Sequence, residues 1–237
     1  REFDLDYRIE QQSSDSVTFV LESGEGLSIR REYRIASIGS EDEPYTIEHS
    51  TVFNNKSTSA KALSSIYFNL GTARPITEEM IGVNFLNVGY FDGKDAEFIP
   101  IKNLTGGKGF LGIGASDPKD VIAETARIEW SSVKNQFFAS VLSSDTVASD
   151  VFVYPVEAPS DVDNQPGRLG ISGSVGYEIG TLAAGESKSL DFQYFVGPKE
   201  FKRLQAMGNE QDLVMQFGFL GFFSKLLLAF MYLIHSV

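Results

Sequence analysis

From Val17 to Val196 the chain alternates short apolar and polar positions, interrupted by Gly, Asn, Asp and Pro. That is the pattern of antiparallel strands with one face buried. Tyr45, Ile47, His49, Thr51 and Phe53 alternate with Thr46, Glu48, Ser50, Val52 and Asn54, and Ile66, Phe68 and Leu70 mark another buried face. Further strand-like runs cover residues 83–91, 96–101, 128–133, 137–142 and 151–156. Leu169, Ile171, Gly173, Val175, Tyr177 and Ile179 alternate again, and Leu190, Phe192, Tyr194 and Val196 close the series. One helical turn is expected within residues 115–125, near a capping Ser116 or Asp117, and residues 158–167 read as an exposed loop. Without internal repeats or a linker, residues 1–197 are expected to form one all-β domain, a twisted antiparallel sandwich or barrel.

At Pro198 the period changes. Proline at a first helical position with Glu200 in the first turn predicts a helix start, and Phe201, Leu204 and Gln205 follow at helical spacing until Gly208. Gly208-Asn209 reads as a turn, after which Asp212 is placed to cap a last helix running into the tail. Residues 198–216 are therefore expected to be a short helix and a turn.

Residues 217–237, FGFLGFFSKLLLAFMYLIHSV, carry a different pattern: 15 of the 21 are apolar and only Lys225 is charged. Roughly 20 apolar residues suffice to span a bilayer. A lysine near the middle opposes a span, at about 2.5–3.5 kcal/mol on insertion scales. Gly218, Gly221, Lys225, Ala229, Tyr232 and Ser236 fall on one helical stripe, facing away from Leu220, Phe223, Leu227, Phe230, Met231 and Ile234. A thin wettable stripe on a mostly apolar helix suits one lying in the headgroup plane, with Lys225 reaching toward water. Phe219, Phe222, Phe223, Lys225, Leu227 and Phe230 are the expected membrane-contact residues. A true span and a buried core helix are the competing readings. Arg1, without a methionine, and His235-Ser236-Val237 read as cut points in a longer chain.

Charge and composition narrow the partners. With 32 acidic against 20 basic residues the net charge is −12, so nucleic acid, which needs a basic footprint, is not an expected partner. The same acidity argues against the cytoplasmic face of a membrane, where anionic lipid attracts Lys and Arg. There are no cysteines, which removes disulfides, thiol catalysis and cysteine-ligated metals.

Candidate chemistry is sparse. Gly107 to Gly112 match GxGxxG, but Ile113 to Pro118 cannot open the helix that a dinucleotide loop requires. His49 is the one histidine before the tail, too few for a two-histidine zinc site, and it reads as a half-buried structural ring. Asp161-Val162-Asp163-Asn164 resembles a calcium loop only in part, since Pro166 and Gly167 break the spacing. Asn55-Lys56-Ser57 and Asn103-Leu104-Thr105 match the glycosylation pattern by chance frequency. No catalytic, cofactor-binding or metal-binding residue is nominated.

The C-terminal third resembles the periplasmic region of YidC-type membrane protein insertases. The resemblance rests on Phe192-x-x-Phe195-x-Gly197-Pro198-Lys199, on Leu204 and Asp212-Leu213, and on the string from Phe217 through Leu227 to Ser236. Trp130 ahead of Phe137-Phe138 also fits that family, so the motifs cover roughly residues 128–237. The resemblance implies a β-supersandwich similar to galactose mutarotases. It further implies an amphipathic helix on the periplasmic face of the inner membrane, and contacts with the lipid surface, nascent membrane proteins and Sec translocon subunits. In that reading the domain is a non-catalytic docking or spacing module. Two rivals are a membrane-tethered carbohydrate-binding or sugar-epimerase-like protein, in which His49 pairs with an unidentified carboxylate, and a tail-anchored scaffold.

Overall fold

The computed structural model describes residues 6–35, 44–75, 85–107, 117–158 and 168–217, together with 227, 230 and 234. Two compact units divide the chain, Arg1–Pro198 and Lys199–Val237. Among the described residues the first holds eleven strands, all antiparallel to their neighbours. These are β1 (Arg8–Gln12), β2 (Ser16–Glu22), β3 (Leu27–Ile35), β4 (Thr46–Asn55), β5 (Lys61–Ala73), β6 (Asn87–Phe91), β7 (Ala96–Pro100), β8 (Ile122–Lys134), β9 (Phe138–Ala158), β10 (Arg168–Leu182) and β11 (Ser187–Pro198). A single helical turn, α1 (Lys102–Thr105), is pinned by the buried Leu104.

One strand makes the two layers. Phe138 to Ser144 of β9 pair with β11, whereas Asp150 to Ala158 pair with β10. Strand β8 follows β9 along its other edge, with register shifts between Thr125 and Trp130. One layer therefore runs β1-β2-β3-β4-β11-β9-β8-β6-β7, and β10 with its partner β5 leaves β9 as the second. Side chains from both meet in one core: Leu21, Ile29 and Phe53 from the first layer with Leu70, Ile171 and Val175 from the second. Phe68 of β5 and Tyr177 of β10 pack on Phe192 of β11 at 4.4 and 5.1 Å between ring centroids. The fold class is the expected one, mainly β in a twisted antiparallel supersandwich with C-terminal helices.

Several local expectations are corrected. Residues 117–121 are not helical and residues 122–125 already belong to β8, because Ile122, Glu124 and Ala126 alternate with exposed neighbours; the helical turn is at Lys102–Thr105 instead. Strand β1, wholly exposed, carries no apolar alternation to announce it. The runs at 137–142 and 151–156 are parts of one strand, β9.

In the second unit, helix α2 (Phe201–Ala206) starts at Phe201 and not at Pro198. Gly197 and Pro198 instead stay in register with Ala139 and Phe138 as the end of β11. Gly208, at φ +77°, reverses the chain after α2. Asp212 does not cap a continuous helix: residues Gln211–Met215 form a 3-10 helix with no side-chain cap, stopped by Gln216 at φ +54°.

Candidate functional site

Three places in the chain invite a functional reading, and the tail is the first. Leu227, Phe230 and Ile234 are helical and lie 58–61% exposed. Separations of three and four residues put them on one helical face. They thus form a row of large apolar side chains turned to water. Phe219, Phe222, Phe223 and Lys225 lie outside the described residues. Among the described residues, no helix is long and apolar enough to cross a membrane.

The second place is His49. Strands β3, β4 and β11 set Tyr33, His49 and Phe192 in one lateral row. The imidazole sits 4.2 Å from the Tyr33 ring centroid and 5.6 Å from that of Phe192, with Phe68 closing an edge at 5.9 Å. His49 is only 7% exposed, so it is more enclosed than the half-buried ring expected. Its Nε2 lies 2.7 Å from Thr51 Oγ1, and Nδ1 is buried without a hydrogen bond. Burial, and next the Arg31 charge, push the ring down from 6.5 to about 4, while the Glu32 backbone and then the Asp191 charge pull the other way. At neutral pH the ring is an uncharged part of an aromatic stack.

The third is a cleft of about 530 Å3 on the sandwich. Its walls come from the end of β5 (Leu70 to Ala73), the β8–β9 hairpin (Val133 to Ser140) and the end of β11 (Tyr194 to Pro198). Tyr194 Oη and Ser140 Oγ donate to the Leu70 carbonyl at 2.7 and 2.6 Å, and burial raises the Tyr194 phenol. No pattern of spacing along the chain announces this cleft, because its walls come from residues about 60 positions apart in the sequence. The only hint was the aromatic pair Phe137-Phe138, whose exposure the alternation did not predict.

The remaining sequence motifs have structural or no described roles. Asn55 is fully buried; its amide donates to the carbonyls of Ser59, Leu182 and Ala183 and its oxygen accepts from Ser57, so it is a loop brace. Residues 108–112 and Asp161 to Asn164 lie outside the described residues. Trp130 is fully buried and stacks on Phe91 at 5.7 Å. Among the described residues, no three His, Cys, Asp or Glu side chains converge as a metal site would require.

The chain is thus a β-sandwich domain followed by a second unit whose described tail residues form an exposed apolar row. The profile of the YidC periplasmic domain matches residues 3–230, and the chain belongs to that family. It is accordingly a periplasmic domain of a membrane-associated, insertase-type protein. No curated protein matches the chain. Among solved structures it is similar to the Slr1438 protein of Synechocystis sp. PCC 6803, at 11% identity and TM-score 0.45 over 82% of this chain and 66% of that one. It is also similar to a protein described as an aldose 1-epimerase of Klebsiella pneumoniae, at 11% identity and TM-score 0.47 over 89% and 58% of the two chains. The chain thus spans about two thirds or less of those two structures.

Proposed function

We propose that this domain assists the insertion and folding of inner-membrane proteins by position rather than by chemistry. The tail helix rests on the periplasmic surface of the inner membrane, and the sandwich serves as a docking or spacing module beside the membrane-embedded part of the insertase. There it meets emerging nascent membrane proteins and Sec translocon subunits. The observation that carries this reading is the exposed row Leu227, Phe230 and Ile234 in a chain of the insertase family. The enclosure of His49 among rings supports a non-catalytic role, since a general base must reach the proton it takes.

The test is a double change, Leu227→Asp with Phe230→Asp, in the full-length protein. Moving a large apolar side chain out of lipid costs about 1.5–3 kcal/mol. Vesicle co-sedimentation should therefore weaken at least about tenfold, and insertion of a small inner-membrane substrate should fall in cells depleted of the wild-type protein. Unchanged vesicle binding together with unchanged insertion refutes the proposal.

A further inference from the structure

Strand β3 divides its charged residues between two faces. Arg30, Glu32 and Arg34 point outward and are linked: Arg30 Nε lies 3.0 Å from a Glu10 carboxylate oxygen, and Glu32 accepts from Arg30 at 3.2 Å and from Arg34 at 3.1 Å. Arg31 and Tyr33 alternate with them and share the inner face with the core residue Ile29. An arginine turned inward calls for a partner, because a desolvated cation is costly when unpaired. Arg31 is half-buried, yet its guanidinium makes no hydrogen bond or ion pair with the described residues. Its Cζ stands 5.0 Å from the centroid of the Tyr7 ring. That contact satisfies none of the N–H donors that a guanidinium carries. Nε is sealed from water without a partner, so the Nη edge is the side open to a ligand.

The neighbours select the ligand. Across the ladders Arg31 faces Phe19 of β2 and Thr51 of β4, and His49, opposite Tyr33, is its diagonal neighbour. His49 Nδ1 is a second buried nitrogen without a hydrogen bond. The imidazole is uncharged at neutral pH, and the other arginines of β3 are turned outward. The inner face of β3 therefore offers one positive charge, in a chain of net charge −12. Phosphate carries about two negative charges at neutral pH and is met in proteins by clustered cations. A carboxylate carries a single charge, and its paired oxygens match the fork of one guanidinium. Phe19 and Tyr33, with ring centroids 6.1 Å apart, and Tyr7 are half-buried around Arg31 and give the body of a ligand an apolar bed.

We propose that Arg31, with Tyr7 and His49 beside it, anchors a binding site for a singly charged carboxylate attached to an apolar or aromatic body. The site belongs to the sandwich and is independent of the tail.

The whole chain, with isotope-labelled arginine and histidine side chains, is titrated with benzoate at neutral pH and followed by NMR. The Arg31 Nε–H and His49 ring signals should move together along one saturable curve, with a Kd on the order of 1 mM for so small a ligand. Arg31→Gln should weaken the His49 response at least about tenfold, and Arg30→Gln should leave it unchanged. Arg31→Lys should restore only part of it, because an ammonium lacks the fork. Should Arg31→Gln fail to fold, Arg31→Lys, which keeps the charge, carries the same comparison. Inorganic phosphate should bind more weakly than benzoate; equal or tighter binding overturns the carboxylate assignment. A peptide that binds more tightly than benzoate and loses affinity when its C-terminus is amidated marks a chain end as the source, and benzoate binding with the peptide silent marks a small acid; either sustains the proposal. No saturable movement up to about 50 mM benzoate leaves Arg31 as a clamp for Tyr7 and overturns it. Arg31 N–H protons already slow to exchange before any ligand is added, with no response to benzoate, would show the chain filling the site itself and overturn it equally.

Discussion

Between Tyr33 and Phe192 the imidazole of His49 has lost the water that would solvate its charge. Its proton affinity is therefore lower in the folded chain than in the unfolded one, about 4 against 6.5. The sign follows from proton counting. Between these two values the unfolded chain holds a proton that the folded chain does not, so stability rises with pH across that window and is lost as pH falls through it. Two and a half decades of proton affinity correspond to about 3 kcal/mol at ~1.4 kcal/mol per decade. Urea unfolding at pH 7 and pH 4 should show a loss of that order. His49→Phe should flatten it, while leaving Thr51 short of a partner and lowering stability at pH 7. An unaltered slope in the variant would assign the pH effect to other groups. The alternation of β4 already marked His49 as inward-facing; its neighbours were not legible, because Phe192 arrives from β11, far away in sequence, and Phe68 crosses from the other layer. The structural role of Asn55 was not legible for a related reason. A glycosylation-like triplet carries no sign that its asparagine is turned inward to brace two loops.

Strands differ in how much depends on them. Strand β9 is paired along both edges, whereas among the described residues β1 has a partner on one side only. A proline at Val151 removes a donor from a ladder flanked by β8 and β10, where no solvent can replace it. Val151→Pro should prevent cooperative folding, whereas Ile9→Pro in the exposed edge strand should leave the far-ultraviolet circular dichroism and the unfolding midpoint nearly unchanged. Equal damage from both would contradict the assignment of β9 as the shared strand. Element type was readable wherever apolar residues alternate, as in β4, β10 and β11. Boundaries failed where pairing overrode local preference. Gly197-Pro198 looks like a helix start, yet the ladder to Ala139 and Phe138 holds it in the sheet. Strand β9 was read as two strands because its central residues, Ser144 to Ser149, alternate in burial but not in residue type: the one large apolar side chain, Val147, is exposed.

For the molecule as a whole, net charge opposes the proposed seating of the tail on lipid. A body carrying −12 is repelled by anionic lipid, while the exposed tail row favours lipid. Salt screens the first without removing the second. Binding to phosphatidylglycerol-containing vesicles should therefore strengthen between about 0.02 and 0.5 M salt, where a polybasic anchor would weaken. A decrease across that range would mean that attraction to lipid charge holds the chain down. Family membership was legible from the last third of the sequence. The cleft and its exposed hairpin were not, because they exist only once β5, β9 and β11 are brought together.

The way β11 is held has a mechanical consequence. Its residues Ser187 to Phe195 are laddered to β4, and Phe192 to Pro198 to β9, on opposite edges. A tug on the chain along the strand axis, beyond Pro198, loads both ladders in shear, so that many bonds must yield together rather than peel one at a time. In the proposed reading, a pull from the membrane side strains the segment after Pro198 without prying the sandwich open.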